Sequence, residues 1–144
     1  MKAVNYFTST DKARLGKAVK EAELHTSGEI RVYLEDHCKG EVLDRAAFIF
    51  SELNIHKTTN RNGVLIYLAL KEKKFAILGD TGIHTIVGQD FWLSVKEMML
   101  DHFKHGRFTD GLVSGIQETG HVLQIHFPPE KDDSNELPNE VIIK

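Results

Sequence analysis

Cysteine is almost missing from this chain: Cys38 stands alone among 144 residues. A lone thiol forms no internal disulfide and supplies no cysteine cluster for zinc, so disulfide scaffolds and structural zinc folds are excluded. Proline is scarce. All three prolines lie beyond Phe127, whereas all eleven glycines lie before it. No run of about 20 apolar residues occurs, and the start MKAVNYFTSTDK has no apolar stretch of signal-peptide length. A cytoplasmic protein that does not itself insert into a membrane is expected. An excess of basic charge is missing too: 18 basic against 21 acidic residues leave −3, which argues against a nucleic-acid binder. The chain also has no glycine-rich loop followed by lysine to cradle phosphate, and no Gly-x-Ser-x-Gly nucleophile elbow.

What is present reads as one folded body and a short extension. The composition, 41% hydrophobic and 27% charged, is ordinary for a folded domain. Segment 128–144 holds five acids against two lysines, so residues 1–127 balance at 16 basic and 16 acidic. We read 1–127 as the body and 128–144 as an acidic, proline-containing extension. On composition that extension reads as a disordered tail, while Leu137, Val141, Ile142 and Ile143 give it the alternative of docking as a last strand or clasp.

Within the body the hydrophobic period alternates. Leu15, Ala18, Val19 and Ala22 share a helical face, with Thr8, Ser9 and Thr10 as candidate caps and Ser27-Gly28 as the end. Residues 29–35 alternate strictly, placing Ile30, Val32 and Leu34 inward as a strand. Leu43, Ala46, Ala47, Phe50 and Leu53 return to helical spacing. Residues 63–70 form a nearly continuous apolar run, the mark of a strand buried on both faces. A charged turn, Lys71 to Lys74, links it to Phe75–Leu78, and so short a link makes an antiparallel hairpin. Gly79 to Gly82 breaks the chain. Asp90 then stands as the cap of a helix carrying Trp92, Val95, Met99 and Phe103 and stopped by Gly106. Thr109 caps a last helix with Leu112, Ile116, Leu123 and Phe127 on its apolar side. Gly115 and Gly120 are expected to let that helix approach the sheet closely. The resulting order, αβαββαα, predicts an α/β fold: a three-layer α/β/α sandwich around a mixed sheet of about four strands.

Chain direction then predicts a site. A helical crossover is right-handed and makes the first two strands parallel; the hairpin returns the third against the second. The start of strand one, the start of strand two and the end of strand three therefore meet at one sheet edge. Thr26–Glu29, Asn60–Gly63 and Gly79–Gly82 converge there. Glu29, Asn62 and Asp80 offer the hard oxygen donors that Ca²⁺ or Mg²⁺ takes. Gly63, Gly79 and Gly82 would let an ion or phosphate approach the backbone. Arg61 is a candidate anion-binding group. The same residues also suit ordinary turns, and Asp90 an ordinary helix cap.

Other candidates carry less. The eight histidines are scattered; His102 and His105, three apart on one helix, have a spacing open to a transition metal, yet His102 falls on the apolar stripe and reads as packed. Cys38 has no neighbouring group of a nucleophile motif and reads as an incidental thiol. Trp92 beside Phe91 reads as core.

At residues 61–69 (RNGVLIYLA), 75–83 (FAILGDTGI), 87–92 (VGQDFW) and 103–111 (FKHGRFTDG) the chain closely resembles the TPM domain family. That family takes its name from a thylakoid lumen protein, a photosystem II repair factor and a receptor-modulator protein. The resemblance runs from about residue 8 to 127, and the chain looks like a short, stand-alone bacterial version. It also carries residues 27–31 (SGEIR) and 135–138 (NELP). The resemblance implies an α/β/α sandwich whose edge loops bind divalent cations, and a phosphatase activity attributed to some members. Many relatives have Asp at position 61 and Glu at position 84, where this chain has Arg61 and His84. Asp80 stands where relatives have glycine, and Asp90 matches a downstream family aspartate.

Two functions follow as expectations. The first is a non-catalytic binding or interaction module that holds Ca²⁺ or Mg²⁺ with modest affinity through Asp80, Asp90, Asn62 and Glu29, and presents its ordered loops to a protein partner. The alternative is a metal-dependent acid phosphatase acting on phosphomonoesters, with Arg61 neutralising developing charge. No residue in the sequence stands out as its nucleophile.

Overall fold

The computed structural model describes residues 2–129 and 141–144. Helices α1 (Ala3–Tyr6) and α2 (Ser9–Glu23) precede strand β1 (Glu29–Glu35), and α3 (Val42–Glu52) leads through a 3₁₀ turn (Ile55–Lys57) to β2 (Gly63–Ala69). Strand β3 (Lys74–Gly79), α4 (Thr81–Lys104), α5 (Phe108–His126) and β4 (Val141–Ile143) follow. The sheet order is β3-β2-β1-β4. Strand β1 runs parallel to β2 and to β4, and β2 runs antiparallel to β3. The predicted sandwich and the directions of β1, β2 and β3 are those observed; α1 and the parallel addition of β4 to β1 were not predicted. Leu137 and residues 135–138 lie outside the described residues.

The sheet separates two cores. Ile30, Val32 and Leu34 of β1, with Val64, Ile66 and Leu68 of β2, pack on α1, α2, α4 and α5. On the other face Leu65, Tyr67, Ala69 and Ala76 meet Ala46 and Ile49 of α3 and Ile55 of the 3₁₀ turn. Strand β2 is buried at every position because it lies inside the sheet with helices on both faces.

Local chemistry explains the helix ends, with corrections to the sequence reading. Thr8 forms a capping box with Asp11, its hydroxyl accepting from Asp11 N–H at 3.1 Å while the Asp11 carboxylate accepts from Thr8 N–H at 3.0 Å. Helix α2 ends at Glu23, four residues short of Ser27. On α3 Leu43 is exposed, and Ile49, absent from the expected face, is buried: the true stripe is rotated toward Ala46, Ile49 and Leu53. Helix α4 begins at Thr81 with Asp80 as its N-cap, so neither a broken chain at 79–82 nor an Asp90 cap is found. Gly88, at φ 75° and ψ 174°, interrupts α4, and Asp90 lies two residues beyond it. In α5 the N-cap is Arg107 and Thr109 is buried in the first turn. Gly115 and Gly120 admit helices, not the sheet: a Cβ on Gly115 would lie 2.5 Å from Met99 Sδ, and one on Gly120 2.5 Å from Ala22 Cβ.

Candidate functional site at the sheet edge

The register delivers the three loops to one edge. Glu29 pairs with Gly63 across β1 and β2, and Val64 with Gly79 across β2 and β3. Backbone bonds tie the loops together: Asp80 N–H donates to Gly63 O at 2.9 Å and Gly82 N–H to Arg61 O at 2.8 Å. Arg61 adopts φ 50°, and the carbonyls of Asn60 and Arg61 face Gly82 so closely that a Cβ there would overlap them. Close approach is what these glycines permit, but the approaching group is the protein itself. Gly63 lies under Ile55, whose carbonyl would stand 2.7 Å from an added Cβ, and Gly79 lies under Trp92.

Asp80 is 5% exposed, and both its oxygens are engaged. Arg61 grips it bidentately, Nε to Oδ2 at 2.7 Å and Nη2 to Oδ1 at 2.8 Å, while Thr81 N–H donates to Oδ1 at 2.7 Å. This carboxylate holds the guanidinium proton more firmly than in a free arginine. Arg61 is therefore already paired with an anion of the chain itself. The structural reason is local: the arginine sits in the loop that packs on the first turn of α4.

Asn62 is fully buried. Its N–H donates to Thr58 Oγ1 at 3.1 Å and its Nδ2 to Ser27 Oγ at 3.3 Å. Its Oδ1 is buried with no hydrogen-bond partner among the described residues. Glu29 is buried as well, and its carboxyl lies within hydrogen-bonding reach of Glu23, at the end of α2. Asp90 is exposed and, among the described residues, makes no hydrogen bond or ion pair with Asp80 or Asn62. The structure thus brings Arg61, Asn62, Asp80 and the backbone of Glu29 together and leaves Asp90 on the flank.

The surroundings of two groups escaped the sequence reading. Glu23 accepts Ile30 N–H at 2.6 Å, and burial pushes its carboxyl up to about 8, partly opposed by that N–H and reinforced by the neighbouring Glu29. Its other oxygen, Oε1, has no hydrogen-bond partner among the described residues by distance and angle. No periodic signal marks Glu23, which ends a helix whose acids look solvated. The second is His84, whose Nδ1 accepts from Trp92 Nε1 at 3.1 Å.

His102 is half-buried with Nε2 at 3.4 Å from Ser114 Oγ, and His105 turns Nδ1 to Asp101 O at 2.8 Å. Among the described residues no three His, Cys, Asp or Glu side chains stand together as a metal site. Cys38 is buried and free. At the opposite edge Glu35 is bound by Arg45 at 2.9 Å twice and by Tyr67 hydroxyl; burial pushes its carboxyl up, and these donors pull it below its usual range. No helix among the described residues is long and apolar enough to cross a membrane.

A family model described as TPM domain matches residues 1–122. Among solved structures, the chain is similar to the BA42 protein of the psychrophilic bacterium Bizionia argentinensis. Identity is 42% over 95% of this chain and 94% of that one, with a TM-score of 0.88. The N-terminal domain of the cg2496 protein from Corynebacterium glutamicum shares the fold at 12% identity, over 83% of this chain and 75% of that one, with a TM-score of 0.67. An N-terminal domain from P. gingivalis does so at 16%, over 83% and 78%, with a TM-score of 0.69. No curated protein matches.

Proposed function

The chain belongs to the TPM domain family, and from that membership we propose that it is a non-catalytic binding module whose sheet-edge loops take a divalent cation, Ca²⁺ or Mg²⁺. The observation that carries this reading is Asn62 Oδ1, a fully buried acceptor with no donor among the described residues, at the start of β2 where the loops before β1 and after β3 meet. A buried oxygen left unpaired is costly, and a hard cation or a cation-bound water would satisfy it. The donor set at this edge fits such an ion in kind, being carboxylate, amide and backbone oxygen. It fits sparsely in charge, because Asp80 is shared with Arg61 and no cluster of three His, Cys, Asp or Glu side chains is found among the described residues. Modest affinity follows. Asp80 and Asn62 would hold the ion, Arg61 would give up at least one of its bonds to Asp80, and Glu29 and Asp90 would contribute at most through water. When bound, the ion would draw the Asn60–Gly63 and Asp80–Ile83 segments together, and that ordered surface is the part offered to a protein partner. Phosphoester hydrolysis is the less favoured reading, because both Asp80 oxygens are already bonded to Arg61 and to Thr81 N–H.

The test is a Ca²⁺ and a Mg²⁺ titration followed by amide NMR shifts on the wild type and on Asp80→Asn. Saturable shifts at 26–29, 60–63 and 79–84 in the millimolar range, lost in the variant, are expected. Shifts that remain linear and unlocalised to tens of millimolar overturn the reading.

A further inference from the structure

Trp92 touches the chain on both sides of Asp80, at Gly79 and at His84. Its indole covers Gly79 so tightly that a Cβ on that glycine would overlap the ring. Its Nε1–H donates to His84 Nδ1 at 3.1 Å. Gly79 and His84 flank the four residues Asp80–Ile83, and His84 N–H closes that turn onto Asp80 O at 2.9 Å. Ile83 is wholly buried, so the turn is pinned from below as well.

The Trp92–His84 bond cannot form on a straight helix. Residues eight apart are separated by about 12 Å of helical rise, beyond direct contact of these side chains at right angles to the axis. The bond exists because Gly88 turns the chain between them, in a φ/ψ region that only glycine enters readily. Nothing lies within 4 Å of a Cβ built on Gly88, so backbone conformation and not packing requires glycine there. The break and the indole–imidazole bond are therefore one device. With the helical ladder interrupted at Gly88, this side-chain bond carries geometry from the anchored half of α4, held by Val95, Met99 and Phe103, to the turn that holds Asp80.

We infer that Trp92 and His84 are positioning residues for the edge site: their hydrogen bond sets where the Asp80 carboxylate stands relative to Asn62 and Arg61. The inference rests on the cation reading for its consequence, since the site positioned is the one proposed to bind Ca²⁺ or Mg²⁺, but the brace itself is tested without metal.

Three variants separate the parts. Trp92→Phe removes the N–H together with the Cζ2 and Cη2 atoms that cover Gly79, so the acceptor side isolates the bond: His84→Leu removes the acceptor and His84→Gln supplies another. In metal-free protein, amide hydrogen exchange at 81–84 is expected to quicken about threefold to tenfold in Trp92→Phe and His84→Leu, the equivalent of one neutral hydrogen bond, and to stay near wild type in His84→Gln. Ca²⁺ affinity, read from amide shifts, is expected to fall by a similar factor in the first two variants and be retained in the third. Unchanged exchange in Trp92→Phe refutes the brace. Faster exchange with unchanged Ca²⁺ affinity refutes the positioning of Asp80. His84→Gln behaving as His84→Leu refutes the acceptor role. A wild type without saturable shifts refutes the cation reading alone, and the exchange data then decide the brace separately.

Discussion

On the proposed cation reading, Arg61 is the residue that would set how this edge responds to an ion. It lies half-exposed on a buried aspartate and supplies the positive charge that an ion would otherwise bring. Arg61→Ala frees Asp80, so Ca²⁺ affinity is expected to rise about tenfold in the same amide-shift titration, the equivalent of removing one charge-assisted contact. Glu23 makes a different prediction, in pH. Its folded carboxyl is pushed up to about 8 from an ordinary 4.5. Between those values the unfolded chain ionises Glu23 while the folded chain keeps the proton, so the unfolded state binds fewer protons and stability falls as pH rises. The contribution is fully present below about pH 4.5 and lost as pH passes through about 8. Glu23→Gln keeps an acceptor for Ile30 N–H and is expected to flatten this slope, with a gain on the order of 2 kcal/mol at pH 9 over wild type in urea denaturation. An equal pH slope in the variant would remove Glu23 as its source. Neither pairing could be read from spacing: Arg61 and Asp80 are 19 positions apart, and Glu23 meets Glu29 around a helix end.

At the scale of the element, α4 departs most from its sequence pattern. The apolar period from Trp92 to Phe103 was legible and correct, and the residues before it, GDTGIHTIVG, looked like a loop because of three glycines and a capping aspartate further on. The helix starts early because Asp80 caps it and Ile83 finds a place in the core. Gly88 absorbs the mismatch. Gly88→Ala, with open space around it, is expected to cost about 1–3 kcal/mol from backbone strain alone, measured by thermal or urea unfolding. The cap is separable from the ion pair at Asp80. Asp80→Ala should lose about 1–2 kcal/mol, and Asp80→Asn clearly less, because asparagine caps nearly as well. Equal losses would mean that the ion pair, not the cap, stabilises the start of α4.

Over the whole molecule the sheet joins distant parts of the chain. Strand β4 adds residues 141–143 to the free edge of β1, with Lys144 N–H donating to Leu34 O at 2.8 Å. Val141 and Ile143 pack toward the core of α1, α2, α4 and α5, while Ile142 faces α3. Ile143→Asp is expected to cost about 1–3 kcal/mol by placing an unpaired charge against that core, with faster amide exchange along β1 at Val32 to Leu34. Unchanged exchange there would mean that β4 contributes nothing to the stability of the sheet.

The sequence by itself determined the main helices of the body and the directions of its first three strands. Two periods of apolar residues, a handed crossover and a turn too short for anything but a hairpin were enough to bring residues 26–29, 60–63 and 79–82 to one edge, because those rules are local or carry a fixed hand. Only the tertiary structure decided which side chains meet there. Asp80 went to Arg61, Glu29 to Glu23 and Trp92 to His84, and the glycines were covered by Ile55, Trp92 and backbone carbonyls. Such pairings depend on how helix ends and loops pack over the sheet edge. That packing is set by side-chain shape and burial across distant positions, and it leaves no period in the chain.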